Sequence, residues 1–554
     1  MSNKVIVLGI DGATFDLLYP WIEQGKLPNL ARVLREGTHS VMRSTIPPYS
    51  AQAWVSMMTG KNPAKHGVVD FFEPGSGGMD RGFVSSTLIK GEAIWDTLSR
   101  HGKRVGIVNV PLTYPPSPVN GYMISGFLTP KGRDDYAYPP ELREEILNIT
   151  GEYDPDPWDL LTPSQNLGSF VQWMEITEQA ARYLQKTHSV DFFISVIQGL
   201  DQLQHLFWDV LVDETTRNKR PTAEIWPSLE RCYEAADAVI GHRLNLLDEQ
   251  TTLFLVSDHG FQSVKARFNV NCWLAERGFL KFDEGQMGRV KSTLNRIGLT
   301  RENLKVLVRR LDAFGLRRHV GRLTRATIAN KLGDTLALPV DWSQTVAYSG
   351  TRTSEGIYIN LKGREPYGIV EPGEQYEVVR KQVMAALAEL VDPRTGQPAA
   401  SAVYRREEIY NGEYLHLMPD ILFSLDGKPY LTSDSTTATQ VFEPIPKDDV
   451  HGRHHSLGIF AAIGRHVVPG LALEQTNIVD VAPTILYAMD LPIPTDMDGQ
   501  VLEKAFTAEY RHAHPICYEE PGTGSPRDNR VTPAYSEEEE AEMHRRLRGL
   551  GYIS

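Results

Sequence analysis

Short apolar runs alternate with longer amphipathic segments along this chain, and that rhythm predicts an α/β fold. Val5–Ile10 (VIVLGI) reads as a strand. So do Arg104–Val110 (RVGIVNV, after the helical AIWDTLSRHGK), Val190–Ile197 (VDFFISVI), Thr252–Val256 (TLFLV) and Leu457–Ile463 (LGIFAAI). Continuous apolar strands of this kind are buried on both faces, as in a largely parallel sheet. In TIPPYSAQAWVSMMTG, residues 51–59 read as a helix with Ser50 as its N-cap and Gly60 at its end.

Two regions leave this rhythm. Between Gln286 and Leu332 there are twelve Lys or Arg against Glu302 and Asp312 alone, and Leu304, Leu307, Val308 and Leu311 fall at helical spacing. Residues 285–333 are therefore read as basic amphipathic helices. They form either a solvated face on a helical lobe, or a lid over an anionic substrate or a contact with an anionic surface. Near the end, PGTGSPRDNRVTPAY is a linker, and Ser536 caps EEEEAEMHRRLRGLGYIS. Acids fill the first turn of that helix and arginines its last, as the helix dipole prefers. It is expected to dock or to bridge subunits of a homo-oligomer. The organisation expected is a catalytic α/β core in two parts, 1–270 and 436–520, an inserted cap at 271–435, and a linker with a terminal helix at 521–554.

With 554 residues the chain is too long for one simple core, and 41% hydrophobic and 23% charged residues are ordinary for a globular protein. The net charge of −13 argues against a nucleic-acid polymer as partner. Cys232, Cys272 and Cys517 are odd in number and far apart, so neither a disulfide framework nor a CxxC metal knuckle is expected, and a reducing, cytoplasmic setting follows. The first apolar run is short and meets Asp11 at once, unlike a signal peptide, and no run reaches the roughly 18 apolar residues of a membrane span.

Chemistry gathers where apolar runs stop. Asp11 ends VIVLGID, Asp201 follows VDFFISVIQGL with His205 four residues on, and Asp258-His259 ends TLFLVSDHG. In an open α/β sheet, ligands bind outside the carboxyl ends of the strands. One Asp after a strand is an ordinary helix cap or turn residue. Three such ends, two of them with an added His, make the inventory of a metal site. Imidazole with carboxylate and no thiolate suits Zn²⁺ or Mn²⁺, and five donors exceed what one tetrahedral ion needs, which points to two ions. A further His is expected from DVHGRHHSLGIF, which offers His451, His454 and His455. Ser50, at a helix start, stands where an anion binds, but a serine hydroxyl needs a base or a metal to ionise it. No GxSxG elbow surrounds it, GIDGAT lacks the third glycine of a dinucleotide fingerprint, and MTGKNP is not a P-loop.

These motifs, in order, resemble the alkaline phosphatase superfamily, and within it the type I phosphodiesterase/nucleotide pyrophosphatase and phosphohydrolase/phosphomutase branch. They are VIVLGIDGATFDLL, PPYSAQAWVSMMTGKNPAKHGVVDFF, GLDQLQH, VSDHGF, HGRHHSLGIFAAIG and NIVDVAPTILYAMDLPIPTDMDGQVL. The resemblance implies a three-layer sandwich with a largely parallel central sheet and an inserted cap lobe. It implies that Asp11, Asp258 and His259 hold one divalent ion, which also meets Ser50, and that Asp201, His205 and His454 hold the other. His454 is selected over its neighbours because it stands four residues before Gly458. Ser50 takes the nucleophile position, with Thr59-Gly60 behind it. Phe71, beside Asp70, stands where the nucleotide branch carries an asparagine, which speaks against nucleotide diesters. Residues 51–53 (AQA) lack the Pro and Arg of sulfatases and the Arg of the monoesterase alkaline phosphatases.

The function expected is hydrolysis of phosphoric mono- or diesters through a phosphoseryl-type intermediate, on a phosphorylated small molecule. A phosphomutase is the alternative on the same fold, and a non-catalytic phospho-ligand-binding protein the alternative of another class.

Overall fold

A computed structural model describes residues 3–73, 82–156, 167–219, 222–283, 338–350, 355–445, 450–522 and 534–550. The expected basic helices at 285–333 lie outside the described residues, as does most of the linker before the terminal helix.

The apolar runs form the middle of one large sheet. Across it the strands run Leu471–Ala472, Thr38–Arg43, Leu457–Ile463, Thr251–Val256, Lys4–Ile10, Phe192–Ile197, Val105–Val110, Gly121–Ser125 and Ala137–Tyr138, with Thr476–Asn477 also paired to Thr38–Arg43. From Thr251–Val256 to Gly121–Ser125 all pairings are parallel. Val5 sits opposite both Phe192 and Thr252, so three strands end level with one another. Leu457–Ile463 departs from the parallel set and runs antiparallel to both neighbours. An apolar run carries no mark of its direction, so periodicity alone does not reveal this.

Successive side chains along each strand point to opposite faces, and both faces are covered. Val5, Val7, Ile107, Ile194 and Phe254 join one apolar cluster with the helices Ser50–Thr59, Ile94–Arg100 and Val481–Ala488. Ile6, Leu8, Ile10, Phe193 and Leu255 join the other, with helices Phe15–Glu23, Pro28–Glu36, Leu167–Thr187, Gly199–Val212 and Thr222–Leu244. The result is a three-layer α/β/α sandwich around a largely parallel sheet.

A separate apolar cluster holds a second unit. Ala347–Tyr348, Gly356–Ile359, Ile421–Ser424 and Ala402–Arg405 form a four-stranded sheet backed by the helix Glu374–Ala388. Tyr430–Ser433, Ala266–Asn269 and Phe442–Pro444 form a three-stranded one. The second unit thus takes in residues from both sides of the expected boundaries at 271 and 435.

The terminal helix, Glu537–Leu550, docks on its own chain. Met543 and Leu547 enter the first apolar cluster, and Tyr535 packs on Tyr114 and Phe83. The Arg546 guanidinium lies 2.5 Å from the Asp156 carboxylate in a buried ion pair and donates to Asp156 O at 2.6 Å. The helix is therefore packed against its own chain. No described helix is long and apolar enough to cross a membrane.

Candidate active site

The level strand ends place the polar residues side by side. Asp11 follows Lys4–Ile10, Asp201 lies in the first turn of the helix after Phe192–Ile197, and Asp258-His259 follow Thr251–Val256. His454 arrives from Gly452–His455, a short strand that pairs with Gly260–Ser263 and sets His454 opposite Phe261. Ser50 opens the Ser50–Thr59 helix. All seven side chains are at most 5% exposed.

Two donor groups result: Asp11, Asp258 and His259, and Asp201, His205 and His454, each with ligand atoms within 4.8 Å of one another. The groups adjoin, since the His259 and His454 rings stack with centroids 3.5 Å apart. Asp201 Oδ1 lies 3.2 Å from His454 Nε2 and 3.9 Å from His259 Nε2. Ser50 Oγ lies 2.9 Å from His259 Nε2. His451 and His455 stand apart, 3.9 Å from Asp209 and from Asp426 respectively.

The histidines are oriented by the backbone. His205 Nδ1 faces Gly452 O at 3.0 Å, His454 Nδ1 faces Pro48 O at 2.9 Å, and His259 Nδ1 faces Gly260 O at 3.1 Å. A carbonyl only accepts, so each Nδ1 carries the hydrogen, and a neutral ring then turns a bare lone pair inward at Nε2. Burial depresses His205 to about 4 and holds His454 well below the ordinary histidine value, so both rings are neutral near pH 7. Their Nε2 atoms face each other at 2.9 Å. Carboxylates add to the demand for positive charge. Burial, then Asp258 and Asp201, hold the Asp11 carboxyl well above the usual range, and Asp11 Oδ1 is buried without a hydrogen-bond donor. At Asp258 burial pushes upward but the neighbouring His259 outweighs it, and the carboxyl lies below its ordinary value. His259 is drawn upward in turn, its burial outweighed by Asp258. Converging lone pairs, three buried carboxylates and Nδ1 atoms tied back to carbonyls fit divalent cations.

Ser50 differs in detail from its expected place. The helix begins at Ser50 itself, and Tyr49, extended at φ −99° and ψ 136°, occupies the cap position. Tyr49 O accepts the first helical bond, from Ala53 N. The Ser50 hydroxyl is thereby free of capping and turns to His259. The first-turn N–H groups beside it have no intrahelical acceptor, which favours an anion.

Sequence reasoning missed three supports. Trp54, one helical turn after Ser50, donates Nε1–H to Asp11 Oδ2 at 3.1 Å. Gly12 N donates to Asp258 Oδ1 at 3.2 Å, and Gln204 Nε2 donates to Gly12 O at 3.0 Å. The i, i+4 spacing of Ser50 and Trp54 was the one available signal for the first; backbone partners leave none. Phe71 is a fully buried core residue packed on Phe127, not a polar group at the site.

The sequence model of the family described as type I phosphodiesterase / nucleotide pyrophosphatase matches residues 5–457. Among solved structures, murine ectonucleotide pyrophosphatase / phosphodiesterase 5 is 13% identical, with 91% of this chain and 100% of that one covered and a TM-score of 0.44. The human ectonucleotide pyrophosphatase / phosphodiesterase 5 is 12% identical, with 91% and 98% covered and a TM-score of 0.43. No curated protein matches the chain.

Proposed function

The chain belongs to the type I phosphodiesterase / nucleotide pyrophosphatase family, of the alkaline phosphatase superfamily, and from that premise we propose that it hydrolyses phosphoric esters of small molecules with Ser50 as its nucleophile. The observation that carries this reading is Ser50 Oγ at a helix start, 2.9 Å from His259 Nε2 and beside two adjoining donor groups.

Asp11, Asp258 and His259 would hold one divalent cation and Asp201, His205 and His454 a second, Zn²⁺ or Mn²⁺ suiting such nitrogen and oxygen donors. When bound, such ions supply Lewis acidity, lowering the hydroxyl pKa of the nucleophile and neutralising charge on the phosphoryl oxygens. The residues of the chain supply position. The first turn of the Ser50 helix presents backbone N–H groups to the phosphoryl oxygens. Trp54 holds Asp11, and Pro48 O holds the His454 ring. The Ser50 oxygen, its proton given up to solvent, attacks phosphorus in line as the P–O bond to the ester oxygen breaks on the opposite side and that oxygen takes a proton from solvent. Water then breaks the Ser50 O–P bond, its hydroxyl going to phosphorus and a proton to Ser50. The three cysteines are unpaired, which supports a reducing, cytoplasmic setting.

Aryl phosphate mono- and diesters, assayed with Zn²⁺ and Mn²⁺ added, test the reading. Ser50→Ala is expected to lower kcat by about 1,000-fold or more, the scale of losing a covalent nucleophile. Metal analysis is expected to find close to two ions per chain. Full activity in the variant would remove Ser50 from its role.

A further inference from the structure

The loop that delivers Ser50 is held from outside the catalytic core. Tyr410 follows the short helix Arg406–Ile409, far from Ser50 in sequence. Its phenol oxygen accepts from Ile46 N at 2.6 Å and donates to Ile46 O at 2.7 Å. One hydroxyl thus satisfies both backbone groups of a single residue four positions before Ser50.

From Ile46 the constraint continues residue by residue. Pro47 O accepts from Tyr49 N at 3.0 Å and from Thr45 Oγ1 at 2.9 Å, and the Gln52 amide closes on it as well. Pro48 O accepts from His454 Nδ1, and Ser50 Oγ meets His259. Each residue from Ile46 to Ser50 thus makes one of these hydrogen bonds.

The neighbours of Tyr410 brace the far end of the same helix. Asn411 O accepts from Asn62 Nδ2 at 2.9 Å, just beyond Gly60. Gly412 lies so close that a Cβ there would meet Ala64 O at 2.5 Å. Tyr410, Ala64, Val69, Met418 and Leu422 form their own buried apolar cluster. Residues 410–412 therefore grip the nucleophile helix before its start and after its end.

We propose that Tyr410 is a positioning residue for the Ser50 nucleophile, its phenol fixing the 45–49 loop so that Ser50 Oγ and the Pro48 carbonyl hold their registers toward His259 and His454. The proposal rests on the reading of Ser50 as nucleophile. It makes the second unit of the fold part of the catalytic apparatus: the unit sets where the attacking oxygen stands.

Tyr410→Phe keeps the ring and removes the hydroxyl. Three readouts are compared with wild type: hydrogen exchange of the 45–50 segment, kcat and KM on an aryl phosphodiester, and the thermal midpoint. Met418→Ala serves as a control that loosens the same apolar cluster while leaving the Tyr410 hydroxyl in place. In Tyr410→Phe the segment is expected to exchange at least tenfold faster, kcat to fall about tenfold or more, and KM to stay within twofold. Met418→Ala is expected to lower the thermal midpoint at least as far while leaving exchange at 45–50 and kcat near wild type. Unchanged exchange in Tyr410→Phe would overturn the clamp, and faster exchange with unchanged kcat would overturn its positioning role. An equal loss of kcat in Met418→Ala would reduce Tyr410 to a general structural part. Exchange is read without turnover, so a fully active Ser50→Ala would sink the nucleophile reading, and this proposal with it, while the clamp itself is still measured.

Discussion

Trp54→Phe isolates one hydrogen bond in the site. Trp54 is fully buried, and its Nε1–H is the donor to Asp11 Oδ2 at 3.1 Å. Phenylalanine keeps an aromatic ring in the core but lacks the far edge of the indole, which packs on Gly9 so closely that an added Cβ would meet it at 2.5 Å. A hydrogen bond to a charged group contributes about 1.5–3 kcal/mol, which converts to roughly 10- to 150-fold. Partners that orient a metal-binding side chain carry a similar weight, about 10- to 100-fold in affinity or activity. The loss should be local. The indole nitrogen carries a single hydrogen, and it goes to Asp11, in the donor group that holds His259 beside Ser50. Equilibrium dialysis against Zn²⁺ should therefore find one ion bound as in wild type and the other weakened by at least tenfold. Phosphodiester kcat/KM should fall by a similar factor. The smaller ring also leaves a cavity and lowers the thermal midpoint, so binding is measured well below it. Two ions retained at wild-type affinity, with kcat/KM within twofold, would refute the reasoning that Trp54 secures Asp11.

Two further outcomes are expected. His66 is buried and pushed down to about 3, first by burial and then by Lys61, while Val68 N donates to its Nδ1 and Ser56 Oγ lies 2.9 Å from its Nε2. A histidine depressed in the folded state adds stability above pH 6.5 that is lost as pH falls toward 3, at up to about 1.4 kcal/mol per pH unit. The thermal midpoint should thus drop more steeply between pH 6.5 and 4 in wild type than in His66→Gln; parallel profiles would exclude this origin. Leu547→Ala removes a side chain only 1% exposed from the core face of the terminal helix, at a cost of about 2–5 kcal/mol. Hydrogen exchange of residues 534–547 should accelerate, and unchanged protection would show that the helix is held by its ion pairs alone.

How far the fold was legible follows from what each residue does. The central strands were plain because both of their faces are apolar. Thr38–Arg43 was invisible for the opposite reason: Thr38, Ser40 and Met42 point inward, while Val41 is 38% exposed. Polar residues satisfied inside and an apolar one outside invert the usual pattern. The donor residues were readable because Asp and His after apolar runs are chemically conspicuous. Their supports were not, since Pro48 O, Gly452 O and Gly260 O are backbone atoms that any sequence carries. Nothing in their residue type separates Trp54 and Tyr410 from ordinary core aromatics, and their polar tips are what touch the site or its loop. The start of the Ser50 helix was legible to one residue, and that residue decides whether the hydroxyl caps the helix or faces His259.

The antiparallel strand Leu457–Ile463 has a consequence for how the protein comes into being. It is the third of nine strands across the sheet and lies between Thr38–Arg43 and Thr251–Val256, so Thr38–Arg43 stays cut off from the parallel strands until the ribosome has made more than four fifths of the chain. Until then Thr251–Val256 presents an open, apolar edge of the kind that invites wrong pairing. Pairings this distant in sequence also form slowly. The strand that closes the gap follows directly on His454, and the strand it captures leads directly to Ser50. Closure of the sheet and completion of the site are thus one event in biogenesis. A chain cut before that point lacks both the closing strand and His454, one of the six donor residues.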